Sequence, residues 1–135
     1  MKVSICIVNL NAKKVLGRCL TSLNQALDEI MFETIVVDNN SLDGSKDYIK
    51  SNFPETIIIE NARNKGYTKA MNQAMLRSKG EFLILLNPDA TCAPYSLKRL
   101  ISFMETDLSI GLCGPKVMNT DGSLQKSCRR GKPDP

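Results

Sequence analysis

Two aspartates, each just past an apolar run and each among asparagines, are the residues of this chain best suited to chemistry. Asp38 opens Asp38-Asn39-Asn40-Ser41 after Thr34 to Val37, and Asp89 closes Asn87-Pro88-Asp89 after Phe82 to Leu86. Two more polar clusters, Asn9-Leu10-Asn11 and Asn61 to Gly66, follow the runs Val3 to Val8 and Thr56 to Ile59 in the same way. One aspartate at a strand end is ordinarily a turn or cap residue. Two of them, among amides that would share one crevice, point to a ligand site. Carboxylate and amide oxygens are hard donors, so a metal held there would be Mg2+ or Mn2+. Asp89 is the best-placed ligand, because Pro88 fixes its own φ and restricts Asn87, which pre-shapes the turn.

Other chemistries are set aside by what the chain lacks. It has no histidine, which removes Ser/His and Cys/His nucleophiles and His-ligated zinc within these residues. No GxGxxG follows the first apolar run and no GxxxxGK[ST] occurs, which disfavours dinucleotide oxidoreductases and P-loop enzymes. A phosphate-bearing ligand would then be met by a metal on a carboxylate. The cysteines are Cys6, Cys19, Cys92, Cys113 and Cys128, an odd number without a CxxC pair. They read as reduced thiols of a cytoplasmic protein, with Cys6 and Cys113 as buried strand residues.

The elements that must position these residues alternate. Val3 to Val8 reads as a buried strand, and Leu16, Cys19, Leu20 and Leu23 form the stripe of a helix. Thr34 to Val37 is a second strand. Asp43 and Ser45 suit the start of a helix that runs to about Asn52, and Thr56 to Ile59 is a third strand. Tyr67, Ala70, Met71, Ala74 and Met75 mark a helix closed by Gly80, with Met71 and Met75 as core residues. Phe82 to Leu86 reads as a fully buried strand, Pro94 as the first turn of a helix, and Ile110 to Cys113 as a short fifth strand. Asn119-Thr120-Asp121-Gly122 is a turn between Val117-Met118 and Ser123-Leu124. Such alternation implies parallel strands, right-handed crossovers and helices on both faces, with ligands at the carboxyl ends of the strands.

Length and composition agree with this. The 135 residues suit a single α/β fold, with 42% hydrophobic and 24% charged residues. No apolar run approaches the ~20 residues of a membrane span, and the first residues show no signal-peptide pattern. The net charge of +4 is uneven, since Lys126, Arg129, Arg130 and Lys132 against Asp134 place +3 of it in the last ten residues. That tail reads as a solvated stretch, and its sharper reading is contact with phosphate or with the anionic inner face of a membrane. Lys13-Lys14 reads as a solvated helix start. No zinc pattern or aromatic RNP motif is present, and aromatics are 5%, so no nucleic-acid partner is expected.

The segments "VSICIVNLNAKKVLGRCLTSL", "ETIVVDNNSLDGS", "NKGYTKAMNQAM", "FLILLNPDA" and "GPKVMNTDGSLQKSCRR" together resemble the N-terminal portion of family 2 glycosyltransferases, most of all the rhamnosyltransferase-like branch. The resemblance implies a GT-A fold, a Rossmann-like three-layer α/β/α arrangement with a mainly parallel sheet. It implies residues 1–115 as a nucleotide-sugar-binding core and residues 116–135 as the start of an acceptor-side region, partly irregular. The implied reaction is inverting transfer of a sugar from a dTDP- or UDP-sugar to a glycan or lipid-linked acceptor in cell-surface polysaccharide synthesis. Val8, Leu10 and Asn11 would line the nucleotide pocket, and Asp38 would accept hydrogen bonds from a uracil or thymine ring. Gly66, with Asn64 and Lys65, would lie near the base and diphosphate. Asn87 and Asp89 match the DxD-type motif, with Asp89 as the metal ligand and Asn87 where many members carry Asp. The general base of such enzymes is expected beyond Pro135, which makes this chain the donor-binding part, inactive alone. Apolar surface normally covered by the rest would then favour self-association. The alternative class is a non-catalytic α/β nucleotide-binding or assembly module. A receiver domain fits poorly, with Asn9 and Asn11 in place of an acidic pair, and "NLNAKKVLG" is no nucleotidyltransferase loop.

Overall fold

The computed structural model describes residues 1–126. Its elements alternate as β1 (Val3–Asn9), α1 (Lys13–Leu27), β2 (Phe32–Asp38), α2 (Ser45–Asn52), β3 (Ile57–Glu60), α3 (Tyr67–Arg77), β4 (Phe82–Leu86) and α4 (Ser96–Glu105). The strands make one four-stranded sheet in the order β3-β2-β1-β4, and every pairing is parallel. The α/β architecture expected from the alternating pattern is therefore present. Cys128 and most of the basic tail lie outside the described residues.

Strand order fixes the layers. The steps from β1 to β2 and from β2 to β3 run one way across the sheet, while the step from β3 to β4 runs back past both. Right-handed crossovers then place α1 and α2 on one face and α3 on the other. Ala70, Met71 and Ala74 of α3 pack on Cys6, Val8, Ile35 and Val37, with Ile57 and Ile59 at the margin. On the opposite face Val3, Ile5, Ile7 and Val36 are fully buried, as are Leu16, Cys19, Leu23 and Leu27 of α1. Each such fully buried aliphatic side chain contributes about 1.5–3 kcal/mol.

The chain forms two compact units, Met1–Lys98 and another beginning at Arg99. In the second, Met118 and Leu124 form an antiparallel bridge. It closes the expected turn, with the Gly122 N–H donating to the Asn119 carbonyl at 3.0 Å and Gly122 at φ +82°. Only glycine adopts that backbone without strain.

Several sequence-based expectations are corrected. Strand β4 is not fully buried: Leu83 and Leu85 are 43% and 51% exposed. They share the face of Ser4 and Cys6, and the buried cluster under α3 is built on β1 and β2. Residues 110–113 form no strand, and Leu112 is exposed. The Ile110 N–H turns back to the Asp107 carbonyl at 3.0 Å. Cys113 is accordingly only half-buried and not a strand residue. Met71 is core, but Met75 is exposed. Helix α3 ends at Arg77 because Ser78 adopts an extended backbone, so Gly80 does not cap it. Gly80 is instead required by close packing, since a Cβ there would stand 2.4 Å from the Ser4 nitrogen. Pro94 precedes α4 rather than opening it, because Tyr95 has φ +61° and interrupts the helical backbone.

Candidate functional site

All strands being parallel, the loops after β1, β2, β3 and β4 emerge at one sheet edge. The order of strands reverses between β1 and β4, which is where open α/β sheets leave a crevice. A cavity of about 710 Å³ opens there, lined by Asn11 to Val15 after β1, by Asp43, and by Asn87, Pro88 and Asp89 after β4.

The wall carrying Asp89 is a fixed turn. The Ala90 N–H donates to the Asn87 carbonyl at 3.1 Å across Pro88 and Asp89. The same carbonyl accepts the Cys19 thiol at 3.6 Å. Burial pushes the Cys19 thiol up to about 12, and the charges of Cys92 and Asp89 act in the same direction. Cys19 therefore keeps its proton at neutral pH and holds the turn as a donor. Asn87 and Asp89 themselves are exposed to the cavity.

The opposite wall is laced by side chains. Asn11, at φ +52°, accepts the Leu42 N–H on Oδ1 at 2.8 Å and donates its own N–H to Ser41 Oγ at 2.9 Å. Asp43 caps two helices at once. Its Oδ2 accepts the Lys13 N–H at 2.8 Å and its Oδ1 accepts the Ser45 N–H at 3.0 Å, which satisfies orphan donors at the starts of α1 and α2. Partial burial pushes the Asp43 carboxyl up, but the Ser45 hydroxyl and the Lys13 and Ser45 N–H groups outweigh it and hold it below the usual range.

Beneath these loops lies a buried polar layer. The register pairs Asn9 with Asp38, and Asn9 Nδ2 lies 2.8 Å from Asp38 Oδ2, 3.0 Å from Ser41 Oγ and 2.8 Å from Ser45 Oγ. Asp38 Oδ1 accepts the Ser41 N–H at 2.8 Å. Further along the edge Asn39 is saturated. Its Oδ1 accepts from Asn61 Nδ2 at 3.0 Å and the Lys65 N–H at 3.1 Å, and its Nδ2 donates to Asn64 Oδ1 at 2.9 Å and the Gly66 carbonyl at 3.3 Å. Asn61 is in turn held by a reciprocal amide pair with Gln73 of α3.

Of the residues singled out in the sequence, the cavity brings together Asn11, Asn87 and Asp89. Leu10 is exposed beside it, and Gly66, at φ +80°, is exposed at the start of α3. Val8 is packed in the core beneath α3. Asp38 is fully buried, with Oδ2 accepting from Asn9 Nδ2 and Oδ1 from the Ser41 N–H. The structural residues left out of that set are Asn9, Asn39, Ser41 and Asn61. Their signal was the repeated placement of amides and hydroxyls just past apolar runs.

The cavity's donor chemistry suits a hard cation. Among the described residues no group of three or more His, Cys, Asp or Glu converges on one point. Asp43 is committed to its helix caps, which leaves the Asp89 carboxylate beside the Asn87 amide. So few oxygens fit Mg2+ or Mn2+ that take their remaining ligands from phosphate and water.

Known proteins resemble this chain throughout its described length. The poly(ribitol-phosphate) beta-glucosyltransferase of Bacillus spizizenii is 30% identical over 99% of this chain and 22% of its own length. The N-acetylglucosaminyl-diphospho-decaprenol L-rhamnosyltransferase of Mycobacterium tuberculosis is 28% identical over 85% of this chain and 41% of its own. The chain thus spans well under half of these relatives. S. aureus TarS 1-349, solved in complex with UDP, superposes with a TM-score of 0.71 at 23% identity over 87% of this chain and 39% of TarS. The mannosyltransferase PcManGT from Pyrobaculum calidifontis, solved with GDP-Man and Mn2+, gives 0.63 at 21% identity over 70% and 29%. The fold is accordingly that of the GT-A glycosyltransferases. No described helix is long and apolar enough to cross a membrane. The model of glycosyl transferase family 2 matches residues 4–130, and the chain belongs to that family.

Proposed function

We propose that this chain forms the donor-binding part of an inverting glycosyltransferase that takes a sugar from a nucleoside-diphosphate sugar. The cavity at the β1/β4 reversal carries this reading, because it places Asn87 and Asp89 opposite the start of α1. Asp89, helped by Asn87, would hold a divalent cation. That cation, when bound, offsets the charge that builds on the leaving group as the glycosidic bond breaks. Leu10 and the loop from Asn64 to Gly66 take the nucleoside, while Asp38 and Asn39 fix those loops from below. Val8, near the end of β1, forms the floor of the nucleotide pocket. No residue of this chain is assigned as general base.

In this reading residues 1–115 make the nucleotide-sugar core and residues 116–135 begin the acceptor side. The acceptor is a glycan or lipid-linked glycan of the cell surface, and the site works in the cytoplasm at the inner membrane face. The relatives' own acceptors, a poly(ribitol-phosphate) and a decaprenol-linked sugar, support that class.

The experiment is a titration of the 135-residue chain with UDP, dTDP and GDP, with and without Mn2+, followed by amide chemical shifts. We expect binding that Mn2+ strengthens, with the Mn2+ effect abolished in Asp89→Ala. Absence of binding to all three would overturn the donor reading and favour a non-catalytic module.

A further inference from the structure

Lys13 and Lys14 open α1 side by side but have different surroundings. The Lys13 backbone N–H donates to Asp43, and its ammonium faces a ring, with Nζ 5.8 Å from the centre of Tyr48. Lys14 is exposed, has no hydrogen bond or ion pair with any described residue, and lines the same cavity as Asn87 and Asp89. We propose that Lys14 is a specificity-determining residue whose ammonium binds the diphosphate directly, without metal. It thereby sets the preference for a nucleoside diphosphate over a monophosphate or a nucleoside. This rests on the donor-site reading above and adds a second source of charge to it.

The charge balance of the cavity favours such a source. Lys13, Lys14, Asp43 and Asp89 are the ionised side chains in its lining, and their charges cancel. A diphosphate brings several negative charges into that neutral space. A cation held by one protein carboxylate binds weakly, because its affinity grows with the number of charged ligands. The asparagine at position 87 withholds the second carboxylate. Asp43 cannot replace it without uncapping α1 and α2. Of the two lysines, Lys13 has its ammonium over the Tyr48 ring, while Lys14 has no such contact among the described residues. Its long stem lets a compact point charge follow the phosphates, and no desolvation of an existing partner opposes the contact.

The test compares wild type, Lys14→Gln, Lys14→Arg and Arg18→Gln. Arg18 is exposed on α1 one turn further on and does not line the cavity, so it reports the loss of one positive charge from the same helix. Each protein is titrated with UDP, UMP and uridine in EDTA, at low and at high salt, by amide chemical shifts. Unchanged far-UV circular dichroism confirms the fold of each variant. We expect Lys14→Gln to weaken UDP roughly tenfold, the scale of one charge-assisted hydrogen bond. Uridine affinity should stay constant, and the UDP-to-UMP preference should collapse. Lys14→Arg should keep most of that preference, and high salt should erase the difference between wild type and Lys14→Gln. The proposal is overturned if Lys14→Gln binds UDP like wild type, or loses uridine equally. It also falls if Arg18→Gln weakens UDP as much. A wild-type chain that binds uridine but shows no metal-free preference for UDP overturns the Lys14 role alone. One that binds none of the three, with or without Mn2+, overturns the donor site itself.

Discussion

At the scale of single residues, the site depends on side chains that never meet solvent. Asn9 and Asp38 are both fully buried, and Asn9 Oδ1 has no hydrogen-bond partner among the described residues. An orphaned buried acceptor costs about 1–3 kcal/mol. The fold tolerates that cost while the amide's other end gathers Asp38, Ser41 and Ser45. Asp43 is where this lacing responds to pH. Its carboxyl lies below its usual range when folded. A depressed folded value means a contribution that is complete above the unfolded value, about pH 4, and lost as pH falls through the folded one. Glu33, partly buried but bonded by Ser4 and by the Lys79 N–H, is lowered likewise. We therefore expect the urea midpoint to drop progressively as pH falls below about 5. Asp43→Asn should lower the midpoint at pH 6 and flatten, without abolishing, that drop. Equal slopes in mutant and wild type would contradict the capping role. Sequence pattern placed Asp43 at a helix start, but its reach to Lys13 requires the loops after β1 and β2 to be adjacent, and only tertiary structure supplies that.

Elements show where local reading succeeds and where it fails. The stripe on α1 named Leu16, Cys19, Leu20 and Leu23, all buried, and missed Ala26 and Leu27 in the last turn, because one face of an amphipathic helix is largely set by sequence. Strand β4 read as core from five apolar residues, yet its exposure depends on how far α3 reaches across the sheet. Gly80 read as a helix cap, and its true constraint is a backbone in another strand. Its N–H donates to Ser4 Oγ at 2.8 Å, beside the Lys79 N–H at 3.2 Å. Those bonds bring β4 against β1. Gly80→Ala should destabilise the fold by about 1–3 kcal/mol, because the atom it meets is backbone and cannot rotate away. An unchanged urea midpoint would show that the loop yields instead. The candidate site was legible in the same partial way. Asn87 and Asp89 were recognisable because a turn after a strand is local. The burial of Asp38 was not, because it depends on Asn9 in a neighbouring strand.

At the scale of the whole molecule, the chain carries apolar surface. Leu83 and Leu85 lie exposed on an edge strand with a single described neighbour, and open sheet edges pair readily with other chains. We expect the sedimentation coefficient to rise with concentration. The double substitution Leu83→Lys and Leu85→Lys should suppress that rise, and it should lower the urea midpoint only modestly because both side chains are already about half exposed. A single concentration-independent species would remove β4 as a contact surface.

The hydrogen bonds that lace the loops have a consequence in hydrogen exchange. The amides of Asn11, Ser41, Leu42, Lys65 and Gly66 lie outside helices and strands, yet each donates to a side-chain oxygen. Protons in connecting segments ordinarily exchange fast. Here those donating to the buried Ser41, Asp38 and Asn39 side chains should be lost to deuterium only when the buried layer opens. The rim of the donor crevice would then behave, on that clock, as an extension of the sheet.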